Sequence, residues 1–308
     1  MKIRDAIGRV LVMIDATKSK ATYTTYESGL CKFERYLWND EIYKVEHLQV
    51  PGTWIGYAEH LASLGYAPRS RTVYNAAAKQ LLDWLVLHEH VTISEHGQMH
   101  YKHAISTYKG KVRTDPKVPD LEKVAAISKV AMHVIDNWQV NSYVEVRDAT
   151  IFMFLLETGC RVGEVVEIKT EDIDFEGMSV VVTGKGDKTR NVMFGAKTYR
   201  ALNNYDLRKG SIQGLPAYFL SCRKSKLTTH GVRLGVKRLV LRAKLYGFKL
   251  TPHMLRHAFA TIALDRTGNL ALIQDLLGHA SPETTRVYAR FTDRVKRSEY
   301  DQIWNEDE

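Results

Sequence analysis

The chain has 308 residues, long enough for two domains that each bury a core. An apolar fraction of 44% and a charged fraction of 26% exclude a disordered, collagen-like or disulfide-stapled scaffold. The formal net charge of +9 points to a polyanionic partner, and its placement along the chain narrows the choice.

In chain order, residues 3–14 carry Ile3, Ala6, Ile7, Val10, Leu11 and Ile14 at spacings of three and four, which predicts a helix. Thr24 to Trp38 continues the pattern, with Tyr26, Leu30, Phe33 and Leu37 on one face. Pro51 suits the first turn of a helix running to about Leu64 and ended by Gly65. Ser70 is placed to cap a long helix to about His88, with Val73, Ala77, Leu81, Trp84 and Leu85 among its apolar positions. Residues 106–120 read as a linker, because Lys109, Gly110, Lys111, Arg113, Pro116, Lys117 and Pro119 replace any apolar period. Its bases suit a strap lying along a phosphate backbone.

Leu121–Asp136 and Tyr143–Glu157 read as helices. Met178–Thr183 and Arg190–Phe194 read as the strands of a hairpin around the turn Gly184-Lys185-Gly186-Asp187. From Thr229 the chain returns to helices. The expected fold is therefore mainly α with a small antiparallel β-hairpin or sheet. A helical bundle over residues 1–105 and a linker over 106–120 precede an α-rich domain over 121–308, which ends in a tail helix. The longest apolar runs, such as Ile151 to Leu156, fall far short of the roughly 20 residues that span a bilayer. The N-terminus lacks the pattern of a signal peptide. Cys31, Cys160 and Cys222 lie far apart in no metal-binding spacing, which suits a reducing cytoplasm.

The charge is uneven. Residues 1–115 carry +3, whereas 116–298 carry +11. Residues 207–264 hold twelve Lys and Arg and neither Asp nor Glu, a single-signed stretch that is either a solvated basic face or a footprint for a polyanion, and then for a nucleic acid rather than a membrane, since no lipid anchor accompanies it. Within it, the helix from about Thr229 to Gly247 carries Arg233, Lys237, Arg238, Arg242 and Lys244, with Val232, Val236, Leu239 and Ala243 facing inward. It is expected to lie in or along the major groove, mostly on phosphates.

No nucleotide-binding glycine loop and no His-Glu-x-x-His metal motif occurs, so neither a cofactor nor a metal is called for. Four segments stand out instead: Thr158-Gly159-Cys160-Arg161-Val162-Gly163-Glu164, Gly184-Lys185-Gly186, His253-Met254-Leu255-Arg256-His257 and Leu276-Leu277-Gly278-His279, with Tyr288 nine residues on. Each alone has an ordinary explanation; Arg161, for one, could simply pair with Glu164 at i+3. Together they have a chemical logic. Arg161 and Arg256 offer permanent, fork-shaped charge to the oxygens of one phosphodiester. His253 and His279 add donors or proton-transfer groups, Lys185 reaches from a hairpin toward a leaving oxygen, and Tyr288 is a phenolic nucleophile.

In this order the set resembles the tyrosine recombinase (phage integrase) family, whose pattern is Arg…Lys…His-x-x-Arg…His…Tyr. The match is close from about residue 145 to 290. Glu164, Asp172-Ile173-Asp174, Leu276 to Ser281 and Thr285 fit as supporting residues. The resemblance implies that residues 1–105 form a core-binding domain and residues 121–308 a catalytic domain, clamping double-stranded DNA as a C. It implies that Tyr288 forms a 3′-phosphotyrosine link. Arg161, Arg256 and His279 would hold the phosphate, Lys185 would act as general acid, and His253 would assist the nucleophile, without ATP or metal. A homotetramer on two DNA sites, with a dimer per site and a possible accessory protein, is expected. In the tail, Phe291, Val295, Tyr300, Ile303 and Trp304 would dock on a neighbouring protomer or fold back on their own domain. Two alternatives use similar residues or the same scaffold: a type IB topoisomerase-like or telomere-resolving enzyme, and a DNA-binding regulator without catalysis. A metal-dependent nuclease is disfavoured by the scattered histidines.

Overall fold

A computed structural model describes residues 1–110, 119–184, 189–210 and 215–278. The chain divides into two compact units, Met1–Thr114 and Asp115–Glu308.

The first unit is a bundle of helices α1 (Ile3–Thr17), α2 (Lys20–Asn39), α3 (Gly52–Ser63), α4 (Pro68–Leu87) and α5 (Glu95–Lys109). The apolar periods decide which faces turn inward. Ile3, Ala6, Ile7, Val10 and Ile14 of α1 are buried, as are Leu30, Phe33 and Leu37 of α2. The Phe33 ring lies 4.8 Å from that of Tyr57 and 5.4 Å from that of Trp54, so α2 and α3 meet through aromatic edges and faces. A Cβ on Gly29 would sit 2.7 Å from the Ala77 Cβ, so this glycine sets how closely α2 and α4 approach.

Several boundaries differ from expectation: α1 runs on to Thr17, and α2 begins at Lys20, capped by Ser19, rather than at Thr24. Helix α4 begins at Pro68 rather than after Ser70, because a proline at the first helical position loses no hydrogen bond and already has a helical φ. Helix α5 runs through Lys109, into the segment read as linker. Ser94 caps it, Tyr101 and Ala104 anchor it, and Gly110 at φ 74° ends it. Residues 111–118, the rest of the expected strap, lie outside the described residues.

The second unit is built around α7 (Tyr143–Thr158), which is buried on nearly every side. Around it pack α6 (Leu121–Asp136), α9 (Ala196–Lys209), α10 (Thr229–Arg242) and α11 (Pro252–Thr267). A short helix α8 (Val162–Glu167) leads to an antiparallel sheet of β1 (Ile173–Asp174), β2 (Ser179–Thr183) and β3 (Thr189–Met193), in that order. The register pairs Val180 with Val192 and Val182 with Arg190, and buries Val180, Val182 and Val192. Helix α12 (Leu270–Leu277) closes the described chain at Gly278.

The hairpin is thus present, with a third strand that the sequence reading lacked. Strand β1 is only two residues long and too short to show an alternating pattern. Helix α10 stops at Arg242, short of Gly247, and Lys244 stands beyond it in a left-handed turn at φ 56°. Val232, Val236 and Leu239 face inward as expected, and Ala243 is half-buried just past the helix end. No described helix is long and apolar enough to cross a membrane.

Candidate active site

Helix α7 ends at Gly159, which takes the left-handed conformation at φ 62°. A Cβ there would lie 2.6 Å from the Phe259 ring and 2.8 Å from Leu277, so a side chain has neither the backbone geometry nor the room. This tight turn delivers Arg161 to the start of α8. Arg161 is 47% exposed, and its neighbour in the turn, Glu164, is 3% exposed.

Glu164 is the electrostatic centre of this corner. Its carboxylate accepts from the Arg161 backbone N–H at 2.8 Å and from Arg161 Nη1 at 2.9 Å. From β3, Arg190 adds a bidentate pair, Nη1 to Oε1 at 2.8 Å and Nη2 to Oε2 at 3.0 Å. Burial pushes the Glu164 carboxyl up. The hydrogen bonds and charge of Arg190 and Arg161 outweigh that and hold it below the usual range. The i+3 pairing that offered an ordinary explanation for Arg161 therefore exists, within a larger network.

On α11, Thr251 caps the helix and Pro252 occupies its first turn. Arg256 is 3% exposed; its Nη1 donates to the Gly159 carbonyl at 2.6 Å and its Nη2 to the Leu277 carbonyl at 2.8 Å. One guanidinium thus fastens the turn before Arg161 to the segment before His279. His253 is exposed one turn earlier, and its ring lies 4.4 Å from that of His257, edge to face. Burial, His253 and Arg256 push His257 down to about 4, so it is neutral at physiological pH. Burial pushes the Cys160 thiol up to about 11, which leaves it unreactive.

The described residues bring Arg161, His253 and Arg256 into one neighbourhood through the Gly159 turn and α11. Lys185 falls between β2 and β3, and His279 and Tyr288 follow Gly278; all three lie outside the described residues, as does the tail. Arg190, Glu164 and His257 were not assigned roles from sequence, apart from Glu164 as a supporting residue. Arg190 had only one available signal, its place in the strand after the Gly-Lys-Gly turn. Among the described residues, no group of three His, Cys, Asp or Glu side chains converges to hold a metal.

The basic helix α10 divides in two. Arg238 donates from Nε to Asp148 Oδ2 at 2.7 Å, and Asp148 also takes Arg147 Nη2 at 2.7 Å on its other oxygen. Arg242 bonds Glu145 and the Asn141 side chain. These two arginines therefore bolt α10 to α7 and its approach, while their side chains stay partly exposed. Arg233 and Lys237, one turn apart, are exposed and carry no ion pair among the described residues.

Among the described residues the chain is mostly helical, with a three-stranded antiparallel sheet beside a corner organised by buried Glu164 and Arg256. Residues 126–294 match the Phage integrase family. The tyrosine recombinase XerC of Listeria innocua is 31% identical over 92% of this chain and 91% of its own length. The Myxococcus xanthus tyrosine recombinase XerC is 31% identical over 92% and 91%. Among solved structures, XerH site-specific recombinase bound to difH substrate in a pre-cleavage complex superposes with a TM-score of 0.72, at 20% identity, over 98% of this chain and 96% of that one. The chain belongs to the phage integrase family, the tyrosine recombinases.

Proposed function

We propose that the protein is a site-specific DNA recombinase that cuts and rejoins duplex DNA through a 3′-phosphotyrosine intermediate. What supports this most is the brace made by Arg256. It ties the turn that carries Arg161 to the segment that runs into His279, so two distant parts of the family pattern converge.

In this reading the Tyr288 hydroxyl attacks the scissile phosphorus and loses its proton, with His253 assisting. Arg161, Arg256 and His279 stabilise the charge that gathers on the non-bridging oxygens. Lys185 protonates the departing 5′-oxygen, leaving a free 5′-hydroxyl and a phosphotyrosine. A 5′-hydroxyl from the partner strand reverses the step. One phosphodiester replaces another of similar energy, so the cycle needs no ATP, and the arginines supply the charge that a metal would supply elsewhere.

Double-stranded DNA is the partner, and Arg233 and Lys237 are the residues of α10 assigned to its phosphates. A dimer on each site and a tetramer across two sites would place four such centres together, with an accessory protein where the site requires one. A cytoplasmic location fits a DNA substrate and three cysteines in no metal-binding spacing.

The test is a nicked suicide duplex carrying the sequence recovered from DNA bound to the chain. The wild-type chain is expected to form a covalent adduct that persists in EDTA. Tyr288→Phe is expected to bind the duplex and form none; an adduct surviving that change removes Tyr288 as nucleophile. A two-site plasmid assay separates inter-site exchange from simple relaxation, the outcome expected of a topoisomerase-like enzyme.

A further inference from the structure

Arg190 touches three parts of the site at once. Its guanidinium grips both oxygens of Glu164, which in turn holds the backbone and the side chain of Arg161. Its stem passes Gly278, where a Cβ would come within 2.9 Å of Cδ and 3.0 Å of Nε. Its Nε is buried with no acceptor among the described residues. Its own strand, β3, leaves the loop that contains Lys185. Arg190 therefore links strand β3 to the segment of Arg161 through Glu164, and its stem packs beside Gly278.

We propose that Arg190 is a positioning residue for strand transfer, acting through Glu164 to hold Arg161 in the orientation that meets the phosphate and to keep the β2–β3 hairpin in register with it. The proposal rests on the recombinase reading. A carboxylate as buried as Glu164 needs more than one partner to stay ionised, and an exposed arginine needs a fixed acceptor to stay aimed. Arg190 meets the first need directly and the second through Glu164. The charged and titratable groups facing Glu164 among the described residues are Arg161, Arg190 and the Cys160 thiol, with Arg256 facing Cys160 from α11.

The test uses the full chain with Arg190→Gln, Arg190→Lys and the double variant Glu164→Gln/Arg190→Gln. Two quantities are read: the Glu164 carboxyl titration by carbon NMR from about pH 3 to 8.5, and the rate of adduct formation on the nicked duplex from about pH 5.5 to 8.5. In Arg190→Gln the Glu164 midpoint is expected to rise. Below that midpoint the adduct rate is expected to fall by about 10²-fold, the scale of an ångström's misplacement, and to climb again as Glu164 ionises. Binding of intact duplex should change by less than about threefold, because Arg190 itself is assigned no phosphate. Arg190→Lys is expected to recover the Glu164 midpoint more fully than the rate, since an ammonium lacks the bidentate fork. The double variant is expected to stay slow and lose the pH dependence.

An Arg190→Gln chain with the wild-type rate and pH profile overturns the proposal. So does a double variant that regains the wild-type rate, which would reduce Arg190 to a counter-charge. Where Arg190→Gln fails to fold, Arg190→Lys carries the decision, because it keeps the charge and loses the fork; a wild-type rate in it overturns the proposal. Wild-type chain that forms no adduct on the duplex refutes the recombinase reading, whereas equal adduct from wild type and Arg190→Gln refutes only the role of Arg190.

Discussion

The two units solve the problem of the interior differently. In the first, the buried side chains are apolar and aromatic, and Thr53 and Asn75 are the buried polar residues. In the second, four charged residues among those described, Arg147, Asp148, Glu164 and Arg256, lie below 5% exposure. Burying a charge costs several kcal/mol unless it is paired and hydrogen-bonded, so their partners are part of the fold. The first unit is held by how well shapes fill space. The second is held partly by which charges meet, and its candidate chemistry sits among them.

That contrast is open to test, beginning with the largest effect. Asp148→Ala would leave Arg147 and Arg238 without their shared acceptor and is expected to destabilise the chain by about 3–5 kcal/mol, read by chemical unfolding. A loss below about 1 kcal/mol would mean that the buried charges in the second unit are dispensable. In the first unit, Gly29→Ala adds one methyl where α2 packs tightly on Ala77 and Tyr74 of α4. It should cost about 1–3 kcal/mol through overpacking alone, with no change between pH 5 and 8 in the size of the loss.

Acid sharpens the comparison further. His257 titrates near 4 in the fold and near 6.5 when unfolded, so its contribution is intact above about pH 6.5 and is lost as pH falls toward 4. Glu164, held low by its arginines, acts in the same direction at lower pH, its contribution vanishing as the medium drops through its depressed midpoint. Thermal unfolding should therefore show the second unit weakening between pH 6.5 and 4, and His257→Asn should flatten the upper part of that decline. An unchanged profile in His257→Asn would remove His257 from the account. The smallest effect concerns DNA. Neutralising Arg233 and Lys237 should reduce the slope of log affinity against log salt by about 2, one for each phosphate contact. Arg238 and Arg242 should show their loss mainly as stability, and a flattened salt slope without destabilisation would reverse that assignment.

What the sequence disclosed follows the same division. Leu30, Phe33 and Leu37 repeat at helical spacing against polar neighbours, so the periods of α1 and α2 translate directly into buried faces. Both ends of α6 were legible, because Asp120 caps one and the apolar stripe stops at the other. Helix α5 was not, since its histidines and short apolar set give little contrast between faces. Helix α9 was passed over, and the third strand has too few residues for a period. Among the site residues, Arg161, His253 and Arg256 stood out through pattern and chemistry. The grip of Arg190 on Glu164 spans 26 positions, and that of Arg238 on Asp148 spans 90, distances at which no local rule connects two side chains. The ion pairs of Arg238 and Arg242 were not legible, because sequence shows a charge without showing its partner.

The Arg256 brace has a bearing on how a protein of this kind decays. Its two bonds to backbone carbonyls serve the fold whether or not DNA is present. A lineage released from cutting DNA can shed a nucleophile without disturbing these bonds, whereas losing Arg256 would also loosen the junction of α7, α11 and α12. Retired descendants should therefore keep the arginine longest.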